Sequence, residues 1–191
     1  MVQKPKRLTF DELFDLLAIF YACRSTCDRL RTSTILRDED NILIGAGYNG
    51  ALSGDPHCDD IGHEIVENHC VRTNHGEENA LLNCIDLTRI RNGIATIVGS
   101  PCYNCVRKLL TKKIKHLRYI GTYNNPLGGN KVEELCRRRG VTLEYVEPTK
   151  VLKVLQKAID FHQGPGGLFR NLPKIDIGLV KEPNEVRHEE S

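Results

Sequence analysis

His75-Gly76-Glu77 and, after a strand-length apolar run, Pro101-Cys102-Tyr103-Asn104-Cys105 form the stretch of this chain from which the rest can be read. From His75 to about Arg89 the sequence predicts a helix carrying Glu77, Glu78, Ala80, Leu81, Leu82 and Ile85. Ile94–Gly99 is β-branched and reads as a strand, and Pro101 suits the first turn of a second helix that Val106, Leu109 and Leu110 continue to about Lys113. Helix, strand and helix in that order are an α/β unit, and they allow two helix N-termini to converge on one ion. The dipole at such a terminus favours thiolates, and the x2 spacing of Cys102 and Cys105 fits one helical turn. His75 and the two cysteines then fill three corners of a tetrahedral zinc site and leave the fourth for water. A lone Cys-x-x-Cys also fits a structural zinc knuckle or a redox pair. The added histidine, the proline and the intervening strand argue for an open site, with Glu77 near enough to move the water's proton without binding the metal. Zinc brings the pKa of its water down towards ~7, so that proton is mobile at neutral pH.

Working outward, Thr9-Phe10-Asp11-Glu12 reads as a capping box that opens an amphipathic helix running towards Arg24, with Phe10, Leu13, Leu16, Leu17, Phe20 and Tyr21 at helical spacing. Thr32–Arg37 and Ile42–Tyr48 flank the turn-prone Asp38-Glu39-Asp40-Asn41 and read as a hairpin. Ala51–Asn74 is poor in apolar residues and rich in Cys, His and Asp; loops of that length usually carry function or a bound group. Beyond the metal motif, Leu117–Tyr123 is a strand, Val132–Arg139 a helix ended by Gly140, Val141–Val146 a strand and Val151–Phe161 a last helix. This alternation predicts an α/β fold with a partly parallel sheet covered by helices on its faces. Residues 1–163 are expected to form the functional domain and 164–191 a polar tail. The tail's Leu168, Phe169 and Leu172 would pack on a neighbouring subunit, and His188–Ser191 would be disordered.

Composition narrows the partners. The 27 basic and 25 acidic side chains leave a formal net charge of +2, which gives no case for a nucleic-acid coat or an acidic tail. No apolar run approaches the ~20 residues that cross a bilayer, and Asp11, Glu12 and Asp15 interrupt what would be a signal peptide's apolar region, so no membrane partner and a cytoplasmic location are expected. Eight cysteines are many for that compartment, where spaced cysteines point to metal or catalysis. Cys23, Cys84 and Cys136 lie in apolar helical patterns and read as core residues.

Several further blocks accompany the metal motif: Arg24-Ser25-Thr26-Cys27-Asp28-Arg29, Gly47-Tyr48-Asn49-Gly50, Pro56-His57-Cys58 and His69-Cys70-Val71-Arg72-Thr73. With them the chain, over roughly Leu16 to Val146, resembles the deoxycytidylate (dCMP) deaminase family, in the branch that includes the bacterial late-competence deaminase-like proteins. The resemblance implies the three-layer cytidine-deaminase-like fold, a mixed five-stranded sheet with helices on both faces. It implies hydrolysis of dCMP to dUMP, which supplies thymidylate synthesis, in a homo-oligomer that is usually a hexamer. It also implies dCTP and dTTP effectors, with Mg2+ accompanying dCTP. Within it, Glu77 is the catalytic residue, Asn49 contacts the sugar, Arg24 and Arg29 lie by the phosphate, Asn79 supports the site and Tyr123 sits near the nucleotide. The family also often holds a second, structural zinc, which here falls on Cys27, Cys58, His63 and Cys70, with His69 the alternative fourth ligand.

Two departures stand out. The family's His-Ala-Glu is His75-Gly76-Glu77 here, and its Val-Gly-Ala at the first strand is Thr32-Ser33-Thr34. The second change bears on the base, so a modified or different aminated nucleotide is an alternative substrate. A non-catalytic nucleotide sensor or assembly protein on the same scaffold is the alternative from another class.

Overall fold

The Thr9 hydroxyl accepts the Glu12 N–H at 3.2 Å and the Glu12 carboxylate accepts the Thr9 N–H at 2.7 Å, so the first helix, α1 (Phe10–Ala22), starts where the capping box sets it. The computed structural model describes residues 6–67, 69–123 and 130–178. After α1 come the hairpin β1 (Ser33–Arg37) and β2 (Leu43–Tyr48). The expected long loop contains β3 (Gly50–Ala51), the short helix α2 (Cys58–Ile61), β4 (Ile65–Val66), β5 (His69–Cys70) and β6 (Thr73–Asn74). The motif region is α3 (Gly76–Leu82), β7 (Ile94–Val98) and α4 (Tyr103–Thr111), followed by β8 (His116–Ile120), α5 (Asn130–Arg139), β9 (Thr142–Val146) and α6 (Pro148–Gln163).

The main sheet has five strands in the order β2-β1-β7-β8-β9. β1 runs antiparallel to both β2 and β7, whereas β7, β8 and β9 are parallel, so the sheet is mixed. One face is packed by a core of Leu36, Ile44, Ile97, Val106, Leu109, Leu117 and Cys136, which brings α4 and α5 onto it. The other face holds Phe14, Ala18, Ile35, Ile120, Val146, Val151 and Val154, the contribution of α1 and α6. Every residue of β1 is buried because that strand is covered on both faces. α3 lies directly on β2: a Cβ added to Gly47 would stand 2.2 Å from the Ala80 nitrogen, so only glycine admits the helix there. Side chains and backbone of the α3 region also occupy β2's outer carbonyls. Asn79 Nδ2 donates to Tyr48 O (2.8 Å), Asn83 Nδ2 to Ala46 O (3.1 Å) and the Ile85 N–H to Ile44 O (2.9 Å).

Some details differ from the sequence expectation. α1 buries Phe14, Asp15, Leu16, Ala18 and Ala22, while Phe10 and Phe20 stay more than half exposed. The cause is electrostatic. Arg118 on β8 and Arg37 on β1 are buried under the helix and draw in its acids, Arg118 to Asp15 at 2.9 Å and Arg37 to Asp11. The helix expected to reach Arg89 stops at Asn83, because the Ile85 N–H turns back to β2 and the Asp86 carboxylate takes the Thr88 N–H at 2.8 Å. Pro101 precedes the helix rather than entering it, since Cys102 is the N-cap. Cys136 is core and Cys84 half-buried, but Cys23 is exposed. Residues 164–178 fold back along α6 in the same chain: Gln156 Oε1 accepts the Ile177 N–H (2.9 Å) and Gln163 Oε1 accepts the Ile175 N–H (3.1 Å). Leu168 and Leu172 remain exposed, and His188–Ser191 lies outside the described residues. No helix among the described residues is long and apolar enough to cross a membrane.

Candidate active site

His75 N-caps α3 and Cys102 N-caps α4, so two helix starts on the same side of β7 face one another. The Cys102 sulfur accepts the Cys105 N–H at 3.3 Å, the capping role usually taken by an oxygen, while the Glu78 carboxylate accepts the His75 N–H at 3.1 Å. His75 Nδ1 stands 3.7 Å from the Cys102 sulfur and 3.4 Å from the Cys105 sulfur. Two sulfurs ~2.3 Å from one zinc and an imidazole ~2.0 Å from it would be separated by ~3.5–3.8 Å, so the donor set fits that ion. The three donors also share protons. The hydrogen bond with Cys105, joined by His75, holds Cys102 down to about 4, and the same Cys102 contact pushes Cys105 up. Hydrogen bonding to Cys102 pushes His75 up to about 9. A zinc ion would displace these shared protons, since it binds cysteine as thiolate and histidine as neutral imidazole.

Glu77 is 4% exposed, and burial pushes its carboxyl above the ordinary range. Its backbone start is pinned by Asn49, whose Oδ1 accepts the Gly76 N–H at 2.8 Å and whose Nδ2 donates to Leu30 O at 3.1 Å. Gly76 packs against the first strand: a Cβ there would meet Ser33 Cα at 3.1 Å.

A second donor set, Cys27, Cys58, His63 and Cys70, has its ligand atoms within 4.8 Å of one another, and His69 is not part of it. The Cys58 and Cys70 sulfurs are 3.6 Å apart, and His63 Nδ1 is 3.7 Å from the Cys27 sulfur. His63 Nε2 meets the Asp28 carboxylate at 2.9 Å, the outer partner that commonly orients a metal-binding imidazole. Burial, with the Cys70 contact, pushes Cys58 up to about 12. Burial opposes ionisation of Cys70 too, but the Arg72 N–H and His63 outweigh it and bring that thiol down to about 6. Four protein donors, enough to fill a tetrahedral shell, suit a structural ion.

Both sets border one cleft of about 710 Å³. His75, Glu77, Cys102 and Cys105 line it together with Arg29, Asn49 and Tyr123, so most of the expected site residues meet in one place. Arg24 is exposed and does not line the cleft, so it does not join Arg29 there. Asn79 does not line it either, since its side chain is spent on Tyr48 and Asn74. Of Thr32-Ser33-Thr34 only Thr32 lines the cleft, with its hydroxyl bonded to Val98 O. The Ser33 hydroxyl reaches Ala18 O, at 2.6 Å, on α1. Lys108 also lines the cleft, paired with Glu78, and was not anticipated. Its signal was available: it lies one helical turn after Cys105 and so shares that face of α4.

Residues 8–120 match the family model for the cytidine and deoxycytidylate deaminase zinc-binding region. The chain is 32% identical over 191 residues to ComE operon protein 2 of Bacillus subtilis (strain 168), covering 97% of this chain and 95% of that one. Among solved structures it is similar to the dCMP deaminase of cyanophage S-TIM5 in complex with dCMP and dUMP, with a TM-score of 0.60 and 19% identity over 74% of this chain and 99% of that one. It is also similar to the guanine deaminase of Nitrosomonas europaea, with a TM-score of 0.52 and 13% identity over 81% of this chain and 87% of that one.

Proposed function

The chain belongs to the cytidine and deoxycytidylate deaminase family, and on that ground we propose that it hydrolyses the exocyclic amine of a dCMP-type nucleotide, dCMP + H2O giving dUMP + NH3. The observation that carries this reading is the meeting of His75, Cys102, Cys105 and the buried Glu77 in one cleft with Asn49 and Arg29. His75, Cys102 and Cys105 would hold zinc, which when bound supplies a Lewis acid and a water that loses its proton near neutral pH. Glu77 Oε would accept one proton of that water and deliver it to the ring nitrogen, where it stays in the product, and would then carry the second, from the hydroxyl newly added to the ring carbon, to the amine that departs as ammonia; a carboxylate serves because one group must both take and give. Asn49 fixes the start of α3 through the Gly76 N–H and presents its remaining amide hydrogen to the sugar. Arg29, joined by Lys108, supplies the positive charge for the phosphate.

Cys27, Cys58, His63 and Cys70 would hold a second, structural zinc that forms one wall of the same cleft. The proposal extends to a cytoplasmic homo-oligomer, a hexamer in the family's pattern, under dCTP and dTTP control with Mg2+. Light scattering and effector titration test that extension. Residues 1–163 would carry the activity and 164–191 would accompany it as a tail.

The test is a spectrophotometric assay of zinc-loaded protein with dCMP, CMP, dCTP and hydroxymethyl-dCMP. The expected result is loss of the cytosine absorbance with dCMP. Turnover of a modified substrate alone would move the assignment to that base, as a fold shared with a guanine deaminase allows. Nucleotide binding without any turnover would overturn the enzyme reading in favour of a sensor.

A further inference from the structure

The cleft lies beyond the C-terminal ends of β7 and β8, the edge where ligands of open α/β sheets settle. A second cavity, of about 270 Å³, opens at the other ends of the three parallel strands, where the fold offers no such reason for one. Its rim is Arg91 and Asn92 ahead of β7, Lys113 and Lys115 ahead of β8, and Arg139 at the end of α5. Its floor is the buried Leu110, Ile114 and Val141. No carboxylate lines it, and among the described residues none of the four cations makes an ion pair or a side-chain hydrogen bond. In a chain whose net charge is only +2, that is a local concentration of charge rather than a general basic surface. Holding four like charges over an apolar floor is unfavourable in the absence of an anion.

The loops that carry these side chains are locked to one another. The Asn92 N–H donates to Lys113 O at 3.0 Å, the Lys115 N–H to Gly93 O at 3.1 Å and the Thr142 N–H to Lys115 O at 3.0 Å. Asn92 and Lys113 both hold left-handed backbone, with φ of 61° and 66°, conformations that non-glycine residues keep only when their surroundings impose them. The cations are therefore presented by a fixed frame.

We propose that this cavity binds phosphate, free or as the phosphoryl group of a small metabolite. Two guanidinium forks match its oxygens, the four cations together cover both of its negative charges, and the Asn92 amide adds a donor. The cavity is concave and at the small end of ligand sites. It has no aromatic side chain on which a base could stack, so it suits a compact anion better than a nucleic-acid strand. The experiment is a titration of the zinc-loaded full chain with inorganic phosphate, followed by amide nitrogen–proton spectra at constant ionic strength set with chloride. Saturable shifts are expected at Asn92, Lys113 and Lys115, with affinity weakened by about tenfold or more in Arg91→Glu/Arg139→Glu. The two substitutions lie on exposed side chains and should leave thermal unfolding and deamination unchanged. Shifts confined to Gly76 and Cys105, no saturation, or unchanged affinity in the double variant would overturn the proposal. So would shifts produced by a short single-stranded oligonucleotide but not by phosphate.

Discussion

At Gly76 and Ser33 the two departures from the family's motifs touch. The family places alanine at the first position and glycine at the second; this chain reverses which of them carries a Cβ. A Cβ on Gly76 would stand 3.1 Å from Ser33 Cα and 3.3 Å from Gly47 O, tighter than ordinary packing, while the Ser33 hydroxyl anchors the strand to Ala18 O on its other side. Gly76→Ala is therefore expected to cost about 1–3 kcal/mol, read as a lower midpoint in thermal unfolding. Ser33→Gly should recover part of that cost, because it frees the strand to give by a few tenths of an ångström, and strict additivity of the two would refute the coupling. Glu77 is the second residue whose role separates chemistry from structure. Glu77→Gln keeps the shape and the three metal donors, so zinc content should be unchanged while turnover falls by about 10²–10⁴. Substantial residual turnover would remove the carboxylate from the proton path. The metal donors themselves were legible in the sequence because coordination demands particular side chains at particular spacings. Lys108 escaped because a lysine one turn along a helix is by default a solvated one.

Among the elements, the helices show where sequence patterning was sufficient and where it was not. The alternation of helix and strand after His75 fixed the parallel half of the sheet, and apolar runs marked β7 and β8. The face that α1 presents to the sheet was misread, since hydrophobic spacing alone put Phe10 and Phe20 inwards. Two buried arginines supplied by β1 and β8, 26 to 107 positions from the acids they meet, decided it instead, and no local pattern announces such partners. The segment from Ala51 to Asn74 is a related case. Its five small elements bury little apolar surface of their own, and Ile61, Ile65 and Val66 stay exposed. Its conformation is expected to depend on the proposed second zinc. Cys58→Ser should lower the zinc content from two ions per chain to one, and should make residues 51–74 the first site cut in limited proteolysis, with His75, Cys102 and Cys105 still loaded. Two ions retained in that variant would rule out the four-donor site.

For the whole molecule, α1 is the element that ties the sheet to α6, and charge does part of the tying. Burial would raise the carboxyls of Asp11 and Glu12, but the Arg37 hydrogen bond to Asp11 and the Lys157 hydrogen bond to Glu12 outweigh it and hold both below their ordinary values. Groups lowered in the folded state bind fewer protons than in the unfolded one, so their stabilisation is complete above the ordinary carboxylate range and is lost as the pH falls through the lowered values. Unfolding monitored between about pH 5 and pH 2 should show that decline. Lys157→Met should make it shallower, and an unchanged slope would discount the contact. The partly parallel sheet covered by helices and the convergence of two helix starts followed from the order of elements, and the three-layer arrangement from the family resemblance; the cavity at the far ends of the parallel strands followed from neither, because its members come from three separate segments of the chain. The outer edge of β2 carries a last consequence. Its carbonyls at Ile44, Ala46 and Tyr48 are already taken by Ile85, Asn83 and Asn79. That row is closed to strand addition, so neither a second copy nor an extended peptide can prolong the sheet on that side. Self-association involving β2 must use side-chain surfaces, and the strand is protected from the edge-to-edge pairing that starts aggregation.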